Sequence, residues 1–415
     1  MLKYIRMNAD LGCQIFNRML KTIAKTAIIF FLVFTSGMDL IAQLPDYRVL
    51  SSEMQALQKQ IVPDKRVAIL NVWFPDTLNY PLVVKGETNL PEGKKQILQL
   101  LDNKGIYFLD SIRVFPDSAL VEKTWGLVTL STANMRSQPD HASEMVSQAI
   151  MGTPMKVLEY KGGWYRVQSP DYYIGWMEGN GLNHCTQLEM DRWKKSNRYV
   201  YNRITGNASD SPNNTSGMMS DLVLGNLFEV EAVVKDFLKI RLPDGRTGFV
   251  REKECLSWNE WTNRKPEVQS AISVAKQMMG VPYLWGGTSC KAVDCSGFTK
   301  TCYFSQGVIL ARDASQQARY GEHPDSENKT PLQPGDLLFF GRSAQRITHV
   351  GIYLGAGKYI HSSGFVRINS IDPQSSDYNL TERKELVAAS RILTFLNTEG
   401  ITLVKDHPWY SIVNK

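Results

Sequence analysis

Six cysteines occur in the 415-residue chain, and three of them crowd between positions 290 and 302. Cys295 lies in Asp294-Cys295-Ser296-Gly297-Phe298, inside VPYLWGGTSCKAVDCSGFTKTCYFSQG. Residue type alone leaves four roles open to it: packing, half of a disulfide, metal ligation or nucleophilic attack. A cysteine attacks as the thiolate, which a helix N-terminus or a neighbouring imidazolium favours. The stretch reads as a turn running into a helix, because Asp294 and Ser296 favour a helix start and Phe298, Cys302 and Tyr303 are spaced for one buried face. Cys295 would then stand at the positive end of the helix dipole, with Cys302 inside the packing.

The histidines narrow the choice. Of six, two fall in THVGIYLGAGKYIHSSG, which reads as two strands joined by the turn GAGK. On the first strand Val350, Ile352 and Leu354 alternate inward, so His349 takes the other face with Gly351 and Tyr353. On the second, His361 shares a face with Tyr359. Neighbouring antiparallel strands bring the imidazoles together, so that His349 takes the proton from Cys295 and His361 orients His349. The other four, His141, His184, His323 and His407, lack a motif partner and are expected at the surface. Neither a CxxC pair nor an HExxH segment is present, so a zinc site has little support. No metal and no organic cofactor is expected.

The elements that must position these groups follow from the rest of the chain. Its length exceeds what one hydrophobic core organises, and with 43% apolar and 21% charged residues it reads as globular and multidomain. A formal charge of +6 is too small to argue for a nucleic-acid partner. Residues 19–43 place Lys21 and Lys25 before an apolar run from Ala27 to Phe34, too short to span a bilayer and shaped like a secretory signal. A leader of residues 1–42, export to periplasm or medium and no stable membrane span afterwards are expected. No cysteine follows the apolar run where a lipid anchor would need one. Cys13 would leave with the leader, and an odd five cysteines remain, so at least one thiol is free.

Residues 43–122 read as a small α/β unit. A repeat follows: SQAIMGTPMKV matches SDLVLGNLFEV, WYRVQSPD matches FLKIRLPD, and IGWM matches TGFV. Gly152 and Gly225, Asp171 and Asp244, and Gly175 and Gly248 share one separation of 73 residues, the mark of duplicated modules. Each copy alternates short β-branched or aromatic strands with Pro-Asp and Gly turns, a small all-β barrel. After SWNEWTNRKP the pattern changes: Pro266 opens a helix that Gly280 ends, and a compact last domain of residues 263–398 precedes a tail, 399–415.

Both repeats, placed at 123–190 and 191–262, resemble bacterial SH3-like domains. YLWGGTSCKAVDCSGF, RDASQQA, LQPGDLLFFG and THVGIYLGAGKYIHSSG resemble the NlpC-type cell-wall cysteine peptidases, a papain-like α+β family with a Cys-His-His triad. The combination is similar to the γ-D-glutamyl-L-diamino acid endopeptidases of the dipeptidyl-peptidase VI type, whose substrates are peptidoglycan-derived peptides. The resemblance implies Cys295 as nucleophile, His349 as general base and His361 as the third member. A backbone amide at the cysteine helps form the oxyanion hole, and Tyr283 is placed near it. The resemblance further implies substrate contacts from Asp294, Ser296 and Ser315, and from Tyr173 and Glu144 in the first barrel, around a free L-Ala ammonium. Asp294 could supply a carboxylate to that ammonium, although Asp equally suits a helix cap. An endopeptidase on intact cross-linked wall and a non-catalytic wall-binding protein are the competing readings.

Overall fold

The computed structural model describes residues 46–75, 81–213, 215–324 and 331–412. The expected leader lies outside the described residues. The protein is a multidomain α+β molecule whose chain divides into two compact units. Residues up to Pro63 with Leu70–Arg113 form the first, and Asp64–Ile69 with everything from Val114 onward form the second.

In the first unit, helices Tyr47–Ile61 and Pro91–Asn103 accompany a three-stranded sheet whose middle strand is Leu82–Thr88. Asp46 caps the first helix by accepting from the Arg48 amide, and Pro91 opens the second, where its missing N–H costs nothing. Leu50, Met54, Ile97 and Leu101 point their apolar stripes inward. Asp64–Ile69, expected inside this small domain, belong instead to the second unit.

The second unit begins with the duplicated barrels. Seven strands between Trp125 and Cys185 form one antiparallel sheet, and seven between Arg198 and Ser257 form the other. Gly152 and Gly225, one of the repeated pairs, sit where the two copies meet. A Cβ on Gly152 would lie 2.4 Å from the Leu227 carbonyl oxygen, and one on Gly225 would lie 2.8 Å from Ile150. Both have positive φ, so one turn type serves both sides of the junction.

The last domain opens with α1 (Val268–Gln277), followed by a two-stranded ribbon of β1 (Thr288–Ser289) and β2 (Ala292–Val293). Then come α2 (Cys295–Phe304), β3 (Val308–Leu310) and the single turn α3 (Ala314–Gln317). Next are β4 (Leu337–Ser343), β5 (Arg346–Gly355), β6 (Lys358–Ser363) and β7 (Phe365–Ser370). The short α4 (Leu380–Glu385), β8 (Leu386–Ser390) and β9 (Ile401–Leu403) finish the domain. Five strands make an antiparallel sheet in the order β7-β6-β5-β4-β8. Ala356 and Gly357, both at positive φ, form the β5–β6 turn, the geometry a tight hairpin needs. Phe298, Cys302 and Tyr303 of α2 are buried with Phe339, Val350, Ile352 and Ile360 of the sheet.

Residues 399–415, expected as a tail, are built into the fold as far as they are described. β9 pairs antiparallel with β3, and Trp409 and Tyr410 are buried with Trp125, Trp193 and Trp261. His407, expected at the surface, is only 1% exposed. Its Nε2–H donates to the Pro170 carbonyl at 3.0 Å, and its Nδ1 accepts from the Trp409 amide at 3.2 Å. A histidine without a motif partner is still a good core residue when backbone groups satisfy both ring nitrogens.

Candidate active site

Asp294 is the N-cap of α2. Its Oδ1 accepts the Gly297 amide at 2.7 Å, which satisfies one of the free donors of the first turn. Cys295 is the first helical residue, so its own N–H has no intrahelical acceptor and points out of the helix start. The thiol is buried with Val350 of β5, the residue after His349, whose amide works to lower its pKa. Burial first, and the Asp294 carboxylate second, push the Cys295 thiol up to about 12.

The two histidines meet as the strand alternation requires. Gly351 pairs with His361 across β5 and β6, which puts His349 and His361 diagonally on one face. Their rings join through His349 Nε2 and His361 Nδ1 at 2.7 Å. A third residue decides the tautomers. Asn369 on β7 donates its Nδ2 to the Asp377 carbonyl at 3.1 Å, so its Oδ1 faces His361 Nε2 at 2.9 Å. His361 Nε2 therefore carries a proton, and Nδ1 is left as the acceptor for His349 Nε2–H. The lone pair of His349 then resides on Nδ1, free to take a proton. Burial, then His361 and Arg367, bring the His349 pKa down to about 3. Burial also lowers His361, against the opposing pull of Glu382 and Asn369. Thiol and imidazoles are thus all neutral at rest. Glu382 stands 3.8 Å from His361 Nδ1 and accepts from the Tyr359 hydroxyl. Among the described residues, His349, His361 and Glu382 hold ligand atoms within 4.8 Å of one another, a spacing that a metal ion accepts. The imidazole–imidazole hydrogen bond engages one nitrogen of each ring.

A second cluster carries charge. Arg312, 1% exposed, meets Asp294 at 2.6 Å and 3.2 Å and donates to Ser147 of the first barrel at 3.0 Å. Asp294 Oδ2 also accepts the Gly286 amide at 3.0 Å. Its oxygens therefore already accept a cap and a buried ion pair, where the sequence reading expected contact with a substrate ammonium. Ser296 is drawn into the same network, donating to Asp294 at 3.2 Å and accepting from Arg312 at 3.1 Å. The half-buried Tyr283 feels both Cys295 and Asp294; burial first, then these two groups, push its hydroxyl up to about 12, so it stays a donor.

The first barrel lies directly against this loop. Trp285 Nε1–H donates to Glu144 at 2.7 Å, and Thr288 bonds Gln148 through its amide at 3.0 Å and its hydroxyl at 2.8 Å. Gly286, at φ +80, permits the approach: a Cβ there would stand 2.4 Å from the Met145 carbonyl oxygen. Glu144 is therefore beside the loop but already accepts from an indole. Tyr173, 6% exposed, donates its hydroxyl to Asp313 Oδ2 at 3.2 Å, and Ser315 accepts from Arg66 at 3.3 Å. Sequence reasoning passed over Arg312 and Asp313, although RDASQQA was in view, because only its serine was carried over. It also passed over Asn369, whose position on the strand after His361 was the available signal.

Residues 280–385 match the NlpC/P60 family, and residues 135–182 match the bacterial dipeptidyl-peptidase Sh3 domain. The gamma-D-glutamyl-L-lysine dipeptidyl-peptidase of Bacillus cereus is 28% identical over 279 residues, 64% of this chain and 81% of that one. The dipeptidyl-peptidase 6 of Lysinibacillus sphaericus is 27% identical over 266 residues, 61% of this chain and 93% of the relative. Among solved structures, an NlpC/P60 family protein from Bacillus cereus superposes with a TM-score of 0.57 at 22% identity, covering 65% of this chain and 99% of the other. That last likeness is one of fold.

Proposed function

The chain carries an NlpC/P60 cysteine peptidase domain behind a bacterial dipeptidyl-peptidase SH3 domain, and from that premise we propose that it hydrolyses the γ-D-glutamyl–L-diamino acid bond of peptidoglycan stem peptides with a free N-terminal L-Ala. The observation that carries the reading is the hydrogen-bonded line His349–His361–Asn369, which leaves a basic nitrogen at His349 Nδ1 beside the helix start that bears Cys295.

Cys295 acts as nucleophile. Its S–H proton passes to His349 Nδ1 as sulfur attacks the γ-carbonyl carbon. Because thiol and imidazole are both neutral at rest, proton transfer accompanies attack rather than preceding it as a stored ion pair. The Cys295 amide and the Tyr283 hydroxyl donate to the oxyanion. The C–N bond breaks, the diamino acid leaves with the proton from His349, and a thioester remains. Water gives a proton to His349 and its hydroxide attacks the thioester, freeing L-Ala-D-Glu and restoring the thiol. His361, held by Asn369, keeps the base in its working tautomer.

At the amine end, Tyr173 and the Asp313 carboxylate it donates to face the substrate's ammonium, with Ser315 beside them and Glu144 at the barrel rim. Asp294 and Ser296 act indirectly, by fixing the helix start. The first barrel, 123–190, walls the cleft and limits the length of peptide on the amine side, and the protein acts after export. The test uses purified protein and L-Ala-γ-D-Glu-diamino acid, free or N-acetylated. Cleavage confined to the free peptide supports the reading, whereas equal cleavage of both sinks the amine recognition and moves the assignment to an endopeptidase of intact wall. Failure of a thiol-reactive probe to label Cys295 would point to the non-catalytic reading.

A further inference from the structure

Between the two excursions that make up the first unit, six residues run through the second unit: Asp64 to Ile69. Their contacts are those of an integral element. Ile69, 6% exposed, is buried with Phe115 and Leu158 and packs against the partly buried Ile174 of the first barrel. The Val67 carbonyl accepts from Gln168 at 2.8 Å, and the Arg66 carbonyl accepts the Ile174 amide at 2.8 Å. On the other side Asp64 accepts from Gln316 of α3 at 2.8 Å.

Arg66 is the centre of this strap. Asp64 grips its guanidinium through two oxygens, at 2.8 Å and 2.7 Å, the planar fork geometry that removes rotamer freedom. The remaining nitrogen, Nη1, reaches Asp313 Oδ2 at 2.7 Å and Ser315 Oγ at 3.3 Å. Asp313 Oδ2 is also the acceptor of the Tyr173 hydroxyl, and Ile174, whose amide Arg66 holds by its carbonyl, is the next residue after Tyr173. One residue therefore holds Asp313 through its side chain and the chain neighbour of Tyr173 through its backbone. α3 has a single turn and cannot fix its own orientation. Its inner side is tied to α2 through Gln317, which accepts from Thr299 at 2.8 Å; its outer side is tied by the strap.

We propose that the Asp64–Ile69 strap is part of the peptidase site and that Arg66 is a positioning residue that sets the Tyr173–Asp313–Ser315 edge where the substrate amine binds. The inference rests on the preceding reading of that edge as the amine end. Because the hydrogen-bond partners of Arg66 are Asp64, Asp313, Ser315 and the Ile174 amide, its loss acts on binding of the free-amine peptide and leaves the chemical step.

The test is steady-state kinetics of the full chain and of its Arg66→Ala and Arg66→Lys variants on the free and N-acetylated tripeptide, with the rate of Cys295 alkylation as a check on folding. Losing a charge-assisted hydrogen bond predicts a KM for the free peptide raised about tenfold in Arg66→Ala, with kcat within about twofold and alkylation unchanged. Arg66→Lys, which keeps the charge and loses the fork, recovers part of the KM. An unchanged KM in Arg66→Ala overturns the inference, as does a fall in kcat with KM constant. If Arg66→Ala alkylates abnormally, Arg66→Lys decides alone: wild-type KM and kcat in that variant overturn the inference, and an intermediate KM supports it. Should the wild-type chain cleave both peptides equally, the amine reading fails; should it discriminate while Arg66→Ala keeps its KM, only the role of the strap fails.

Discussion

The proton relay and the charged cluster of this site are built in different ways. His349, His361 and Asn369 come from three consecutive strands of one sheet, carry no charge at rest, and meet because alternation and register leave them no other face. Asp294, Arg312, Asp313, Arg66 and Tyr173 come from segments far apart in the chain and are mostly charged. The relay is local geometry that a hairpin supplies. The cluster exists only once barrel, strap and peptidase domain have packed, and the burial that packing provides makes its ion pairs costly to break.

The largest break in this contrast is Cys295→Ala, which should lower turnover on the free tripeptide by about 10⁴-fold or more while leaving the melting temperature near wild type. Next is Arg312→Met. It strands the buried Asp294 charge and should cost about 3–5 kcal/mol in denaturant unfolding, a stability effect that no relay mutation matches. Acid sharpens the contrast from the neutral side. His349 and His407 fall from 6.5 to about 3 and about 4 when folded, so the unfolded chain takes up protons first. The stability they carry is complete above about pH 6.5 and shrinks as pH falls toward those folded values. At pH 5 each accounts for a loss of about 2 kcal/mol, and His407→Gln should flatten the melting-temperature profile between pH 7 and 5 without touching kcat. The smallest expected effect is Asn369→Ala. Freeing the His361 tautomer should lower kcat about tenfold with KM unchanged, and a wild-type kcat would remove Asn369 from the relay.

How much was legible follows the same division. The strands bearing His349 and His361 announce themselves by alternation, and the Asp-Cys-Ser start of α2 by its capping chemistry, because both signals are short-range. The cap at Asp294 is legible in the same way, but its ion pair is not, because the arginine that fills the carboxylate stands 18 residues later with no local pattern to relate the two. His407 and the C-terminal residues were read as exposed because no periodicity marks a strand of three residues, such as β9, or a lone Trp-Tyr pair docking on another domain.

The sequence by itself determined the nucleophile's helix start, the shared face of the two imidazoles and the duplicated barrels, since each depends on residues close in the chain or on an internal copy. Only the tertiary structure decided which side chains complete the site. Arg312 on Asp294, Asn369 on His361 and Arg66 on Asp313 are chosen by burial and hydrogen-bond satisfaction among segments that no local pattern relates.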